Sequence, residues 1–437
     1  MLNLSRTSYI CHAGAAVWRA SRPDAPTMQP QSGSILSRDR HLPQPRAADL
    51  CVPSPSVSSD ATNTTVLELF GRHGELANLP VVENERPIGM IKRHIFMSEM
   101  AKPFHREVYD RKSCIAFMDR EPVIVPAQMT IEDTAFAIVE SGGKALTDGF
   151  LITADGRFMG IGSGLDLMRM VANLQAEKNR QIMQSIAYAS VIQQAMLKPS
   201  QDALATTLPE AALVWQPRDI VGGDFYHFTA YDDGWFLMLA DCTGHGVPGA
   251  FMTLIASSSL TRTLERIGPR DPALLFGELN RSVKTALAQN DARVDTGASD
   301  DGLDGIAIWF DRAAAKLVFA SARTPLHALV PGESSVRTIE GERLGLGYVG
   351  TPMTQRWTNR TLGLERGTIV TVATDGLVDQ IGGPKHIAFG KRRVRDAMLR
   401  AQKLPMPEFA ASLVVTHADW QAGHSRRDDL TLFAFRS

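Results

Sequence analysis

Four aspartate positions in the C-terminal half stand where apolar, strand-like runs begin or end, three of them close to glycine. Asp224 follows Val221-Gly222-Gly223, and Asp241 closes an apolar run before Cys242-Thr243-Gly244-His245-Gly246. Asp375 lies in Thr374-Asp375-Gly376, and Asp428-Asp429 directly precede the last apolar run. A carboxylate at a strand end is a rigid oxygen ligand, and a neighbouring glycine leaves room for water or phosphate. One such aspartate alone is explained by an Asx-turn, but four at strand ends are not. Hard oxygen ligands suit Mg²⁺ or Mn²⁺. The four cysteines, Cys11, Cys51, Cys114 and Cys242, are scattered, with no CxxC pair and no histidine at ligand spacing, which speaks against zinc. His245, between two glycines, either supplies a proton near neutral pH or only fixes its loop. Arg218 either clamps an anion bidentately or is a solvated strand-edge arginine.

These residues need a scaffold. Beyond Pro209, strands are expected at Ala211–Trp215, Trp235–Ala240, Gly305–Phe310, Lys316–Phe319, Thr368–Ala373 and Leu430–Phe435. Helical periodicity marks Gly249–Ile267, Pro272–Ala288, Lys391–Ala401 and Pro407–Trp420. Clustered strands with helices inserted in pairs predict a layered α/β domain and not a regularly alternating parallel fold. The polar stretch from Gln289 to Asp300 reads as a mobile loop near the substrate, or as an ordinary disordered insertion.

At 437 residues the chain is long enough for two or three cores. Lys+Arg of 46 against Asp+Glu of 47 leaves no global field for nucleic acid or an anionic membrane. No apolar run reaches the roughly 20 residues of a membrane helix. Cysteine usage and the lack of a span predict a cytoplasmic protein. The first 24 residues faintly resemble a transit peptide and read better as a disordered leader or an over-extended start before Met28. From Ser21 to Thr64, Pro, Ser, Arg and Gln dominate without apolar periodicity, a disordered tail. Leu79–Ile91 and Phe150–Ile161 each read as strand, polar turn and strand, a duplicated unit. From Val171 to Leu197 the chain turns helical, with Ile182, Ile186, Ala189, Gln193 and Met196 at steps of four and three, and Pro199 is expected to end the helix. Such a stripe is commonly an intramolecular face; its place between domains favours a parallel dimer seam.

The segments VGGDFYHF, LADCTGHGVPGAFM, ATDGLVDQIGG and RRDDLTLFAF resemble, in order and spacing, the type 2C (PPM) serine/threonine phosphatases of the bacterial sporulation stage II E branch. The resemblance spans about Leu208 to Arg436. It implies an αββα sandwich with a binuclear Mn²⁺ or Mg²⁺ site at one end of the sheets. Asp241 would bridge both metals, the Cys242 backbone carbonyl would bind one, Asp375 and Asp428 would complete the first site, and Asp224 would hold the second through water. Asp428 is preferred to Asp429 by motif position. His227 stands where many relatives carry another aspartate and is not counted as a ligand. The Cys242 thiol, replacing a common glycine, could confer oxidant sensitivity. By the same resemblance Asp304, in Asp301-Gly302-Leu303-Asp304-Gly305, would lie beside the metal site, at a labile third metal, with Ala322-Arg323-Thr324-Pro325-Leu326 marking a sub-branch. The implied chemistry is direct hydrolysis of a phosphoserine or phosphothreonine without a phosphoenzyme. The implied partner is a phosphoprotein such as an anti-sigma-factor antagonist of the STAS type.

The duplicated unit resembles a cystathionine-β-synthase (CBS) domain pair, which often binds adenosine nucleotides. Ser163-Gly164-Leu165-Asp166 matches that family's ribose and phosphate contact, with Ser163 and Asp166 as candidate nucleotide ligands. The alternative is a near-capping box. The first repeat has Lys92-Arg93-His94 there, so at most one nucleotide site is expected.

The expected organisation is therefore a disordered leader (1–63), a CBS-like α/β pair (64–172), a helical linker and dimer helix (173–200) and an αββα phosphatase domain (201–437), as a cytoplasmic homodimer. A nucleotide-responsive scaffold with an inactive phosphatase fold and a small-molecule phosphatase are the competing expectations.

Overall fold

The computed structural model describes residues 16–18, 44–289 and 300–437; of 16–18 only the backbone strand is described. The expected leader and transit segment before residue 44, and the Gln289–Asp300 loop between its two ends, lie outside the described residues. The chain divides into two compact units, Met28–Ile182 and Met183–Ser437, the second joined by the strand Ala16–Trp18.

In the first unit the hairpins Asn78–Glu83/Arg86–Lys92 and Phe150–Ala154/Arg157–Gly162 repeat one design. Both turn on two residues with positive φ, Asn84-Glu85 and Asp155-Gly156, the pattern of a tight primed turn. Both carry a register shift at the same place, Val81/Val82 and Ile152/Thr153. A shared bulge and turn are what duplication predicts. The disordered leader expected through residue 63 is corrected over 44–63. Ala47, Leu50 and Val57 are buried, and the Ala47 and Ala48 amides donate to the Met129 and Ala127 carbonyls. Three apolar side chains spaced across a Pro/Ser-rich stretch show no periodicity, yet each contributes on the order of 1–2 kcal/mol once buried.

One helix, α1 (Gly164–Thr207), runs from the first unit into the second. Pro199 does not end it, a correction with a packing cause. Proline costs about 3 kcal/mol inside a helix, but Leu197 and Leu204 on either side are buried in the core. Ser200 Oγ also accepts a hydrogen bond from the Phe228 amide at 3.0 Å. Tertiary anchoring on both sides outweighs the lost backbone bond.

The second unit stacks two sheets between helix pairs. Its strands are β1 (Ala211–Gln216), β2 (Asp224–Tyr231), β3 (Gly234–Cys242), β4 (Leu303–Asp311), β5 (Lys316–Ala322), β6 (Leu326–Leu329), β7 (Ile369–Ala373) and β8 (Leu430–Arg436). One sheet has the inner order β1-β8-β7-β6, the other β5-β4-β3-β2. Helices α2 (Gly246–Ile267) and α3 (Pro272–Ala286) cover the second sheet, and α4 (Gly390–Ala401) and α5 (Met406–Gln421) cover the first. The apolar faces of both sheets meet in a core containing Leu213, Phe225, Leu239, Ile306, Val372 and Phe433. This is the expected αββα architecture.

Candidate active site

Sheet register gathers the carboxylates. In the antiparallel ladders Asp224 of β2 lies opposite Asp241 of β3, which lies opposite Asp304 of β4. Directly opposed residues in antiparallel strands project to the same face, so three aspartates form one row across the end of this sheet. The other sheet supplies Asp375, just past β7, and Asp428, just before the neighbouring β8. Five carboxylates thus come from strand ends of two facing sheets. His227, three residues on from Asp224, has the opposite parity; its Nε2 meets Thr229 Oγ1 at 2.9 Å, away from the row.

Each carboxylate has its own environment. Asp224 is 1 % exposed. Its Oδ2 accepts from the hydroxyls of Thr374 (2.8 Å) and Thr431 (2.7 Å), while Oδ1 is buried with no partner. Burial first, then the charge of Asp429, pushes Asp224 well above the usual carboxylate range, against those two hydroxyls. Asp241 is raised by burial and then by Asp224, Asp375 and Asp428, and it shares a hydrogen bond with Asp375. Asp375, raised by burial and by Asp428, titrates at about 6. A cluster of mutually repelling carboxylates is the condition that favours a proton or a cation between them.

Asp428 and Asp429 do different work. Asp429 Oδ1 accepts from the Arg218 amide (2.5 Å), and Oδ2 from the Gly223 amide (2.6 Å), so its carboxylate pins the Val-Gly-Gly-Asp loop. Gly223 must be glycine, because a Cβ there would meet the Gly244 carbonyl at 2.3 Å and the Cys242 carbonyl at 2.9 Å. Cys242 is 3 % exposed, and burial followed by the charge of Asp241 raises its thiol well above the ordinary value. Arg218 Nη1 donates to the Arg427 carbonyl. His245 Nδ1 meets Asp219 Oδ2 at 2.9 Å at the start of α2.

A 200 Å³ cavity opens on the site. Asp241, Asp304, Asp375, Arg323, His327 and Lys391 contribute to its lining, and neither His245 nor Arg218 does. Asp304 lies beside the site, as expected, and holds Arg323, with Nη1 at 3.3 and 3.4 Å from its two oxygens. Three functional features were not foreseen. The hydroxyls of Thr374 and Thr431, the Asp429 clamp and the cavity arginine all depend on strand pairing; only the left-handed φ of Arg323 hints at special duty.

Among the described residues no three carboxylate, thiol or imidazole side chains already converge as a finished metal cage; Asp241 and Asp375 share a hydrogen bond instead. The donors nevertheless fit hard divalent cations. They are oxygen only, and Asp224 Oδ1 is a buried acceptor that nothing in the protein satisfies.

In the first unit, a 630 Å³ cavity is lined by residues of both repeats, including Asn78, Asp148, Ser163 and Leu165. Ser163 Oγ accepts from the Leu165 and Asp166 amides at 3.2 and 3.5 Å, so the capping contact is present. Lys92, at the equivalent position of the first repeat, is buried and paired with Asp119 and Asp148. Burial opposes its charge, and the two carboxylates more than offset this, raising its pKa.

The comparisons agree with this architecture. The SpoIIE family, stage II sporulation protein E, matches residues 231–437, and the CBS domain family matches residues 47–102. The structure of the SiaA-PP2C domain of Pseudomonas aeruginosa is 36 % identical, with a TM-score of 0.53, over 60 % of this chain and 99 % of that one. The PP2C phosphatase domain of SpoIIE from Bacillus subtilis is 19 % identical over 52 % of this chain and 63 % of that one, with a TM-score of 0.42. The RsbU and RsbW domains of a Mycobacterium tuberculosis protein are 19 % identical over 52 % and 59 %, with a TM-score of 0.41. Among curated proteins there is no match. The chain belongs to the PP2C family of protein serine/threonine phosphatases, in its SpoIIE branch, and carries an N-terminal CBS domain. No helix among the described residues is long and apolar enough to cross a membrane.

Proposed function

We propose that the chain is a metal-dependent phosphatase acting on the phosphoserine or phosphothreonine of a small signalling protein, with a STAS-type anti-sigma-factor antagonist as the favoured class of partner. The observation that carries the catalytic reading is the row Asp224–Asp241–Asp304 facing Asp375 and Asp428, with Asp224 Oδ1 buried and unsatisfied. Asp241, Asp375, Asp428, Asp224 and the Cys242 carbonyl would hold two Mn²⁺ or Mg²⁺ ions. Such ions supply Lewis acidity toward phosphoryl oxygens and acidify water for direct hydrolysis.

The chain's own residues serve that chemistry in separable ways. Thr374 and Thr431 fix the orientation of Asp224 by donating to Oδ2, leaving Oδ1 as the ligand. Asp429 holds the glycine loop in register with both carboxylate oxygens. Asp219 orients His245, which retains the role of candidate proton donor. The match of the SpoIIE family over 231–437 supports the signalling partner.

The test is manganese-dependent hydrolysis of a phosphoserine peptide by the full chain. Asp375→Asn should lower the rate by at least a hundredfold. Undiminished hydrolysis in that variant, or none by the wild type in saturating manganese, would overturn this reading. The 630 Å³ cavity supports an adenosine-nucleotide site in the CBS unit; of the candidate ligands Ser163 and Asp166, Ser163 lines it, while Asp166 pairs with Arg169.

A further inference from the structure

The cavity beside the carboxylates holds a fixed cation that the metal-centre reading leaves without a task. Arg323 follows β5 with φ +61°, a left-handed backbone at a side chain that avoids it. Backbone of this kind persists where its surroundings over-determine it, and it collects at ligand clamps. Here the Arg323 amide donates to the Glu342 carbonyl at 2.7 Å, and Arg323 bridges to Gly305 of β4.

The side chain, 44 % exposed, is tied at two of its nitrogens. Nε donates to the Arg343 carbonyl at 3.0 Å, and Nη1 reaches both oxygens of Asp304. The guanidinium lies over the Tyr348 ring at 4.9 Å, and Tyr348 also hydrogen-bonds Asp304. Gly345 closes the arrangement, since a Cβ there would come within 2.3 Å of Asp304 Oδ1. These contacts occupy Nε and Nη1, and Arg323 lines the cavity together with Asp241 and Asp375.

We propose that Arg323 is the phosphate-binding residue of this enzyme: its guanidinium, positioned by Asp304 and Tyr348, takes a non-bridging oxygen of the substrate phosphoryl group within the 200 Å³ cavity. A planar, permanently charged fork suits a phosphate oxygen, and holding it in place beforehand removes the ordering cost at binding. Arg218, the other candidate for this duty, directs Nη1 to the Arg427 carbonyl and does not line the cavity. Asp304 is then a positioning residue for the arginine. The proposal rests on the metal-centre reading above and can fail separately from it.

The test uses the full chain loaded with manganese, with inorganic phosphate as the probe in titration calorimetry and p-nitrophenyl phosphate as a small substrate. Arg323→Gly should weaken phosphate binding and raise KM by about ten- to a hundredfold, the range of a lost charge-assisted hydrogen bond. Glycine accommodates the φ of +61°, and the melting temperature read alongside separates lost binding from lost folding. Arg323→Lys should recover part of the affinity. Asp304→Asn, which removes the partner that positions the guanidinium, should raise KM severalfold. Phosphate binding within twofold of wild type in Arg323→Gly overturns the proposal. So does tighter manganese binding without loss of phosphate, which would make Arg323 merely the counter-charge of Asp304. A wild-type chain that binds manganese but no phosphate overturns the subsite alone; one that binds neither overturns the metal centre as well.

Discussion

Asp375 shows how one carboxylate answers to two states of the site. Its pKa of about 6 in the folded chain lies above the ordinary 3.8, with burial and the charge of Asp428 as causes. Between those values the folded, metal-free chain binds more protons than the unfolded one, so stability falls as pH rises through that window. With a chelator present, Asp375→Asn should therefore melt higher than wild type above pH 6. The expected gain is about 2–4 °C, or roughly 1 kcal/mol once solvent screening at this open site is allowed for. Below about pH 4 the two should coincide. A variant that melts lower at every pH in chelator would show that the repulsion is not felt. At this scale the sequence was legible where a residue's duty follows from local position: Asp224, Asp241 and Asp375 stand at strand ends beside glycine. It was illegible where duty depends on pairing partners far along the chain. Motif position prefers Asp428 to Asp429 as the ligand, but what Asp429 does is set by the amides of Arg218 and Gly223, over two hundred residues away, which make it a clamp.

Among the elements, α1 departs furthest from its sequence pattern. The stripe Ile182, Ile186, Ala189, Gln193 and Met196 reads as a seam for a second copy, but its C-terminal part packs within the chain. Gln193 is 3 % exposed; its Nε2 donates to the Gly222 carbonyl at 2.7 Å, and its Oε1 accepts from the Gly222 amide at 3.1 Å. Met196 packs against the core. Periodicity reports that a face is covered, and it does not report by what. The consequence is specific: Gln193→Ala strands both polar groups of Gly222 in a buried place. A loss of about 1–3 kcal/mol is expected in thermal or urea unfolding. Manganese affinity should fall with it, because Gly222 belongs to the loop that Asp429 pins ahead of Asp224. Unchanged manganese titration in a measurably destabilised variant would dissociate the helix from the site. Strands β1, β3, β4, β7 and β8 were legible to within two residues because apolar runs of four to eight bounded by glycine and proline have few other readings; β5 runs three residues beyond its expected end, and β2 and β6 were not read as strands, their residues reading first as motifs.

For the whole molecule, the division after Ile182 decides where a deletion is informative. A fragment beginning at Leu208 lacks Leu197, Leu204, Gln193 and Ser200, so it should lose several kcal/mol of stability whatever the regulatory unit does. A fragment beginning at Met183 keeps them and should unfold cooperatively near the melting temperature of this unit in the full chain. Comparing its turnover with that of the full chain across AMP, ADP and ATP tests regulation cleanly. Equal rates at every nucleotide would remove the sensor role of the CBS unit. The carboxylate row also bears on how this enzyme comes into being. Five acidic side chains are brought together by the packing of two sheets, so folding without a cation works against its own charge. On the proposed reading, divalent cations would stabilise the folded chain as well as serve turnover. Cells synthesising the chain under manganese and magnesium starvation would accumulate less mature protein, a deficit that returning the ions to a finished extract would not repair.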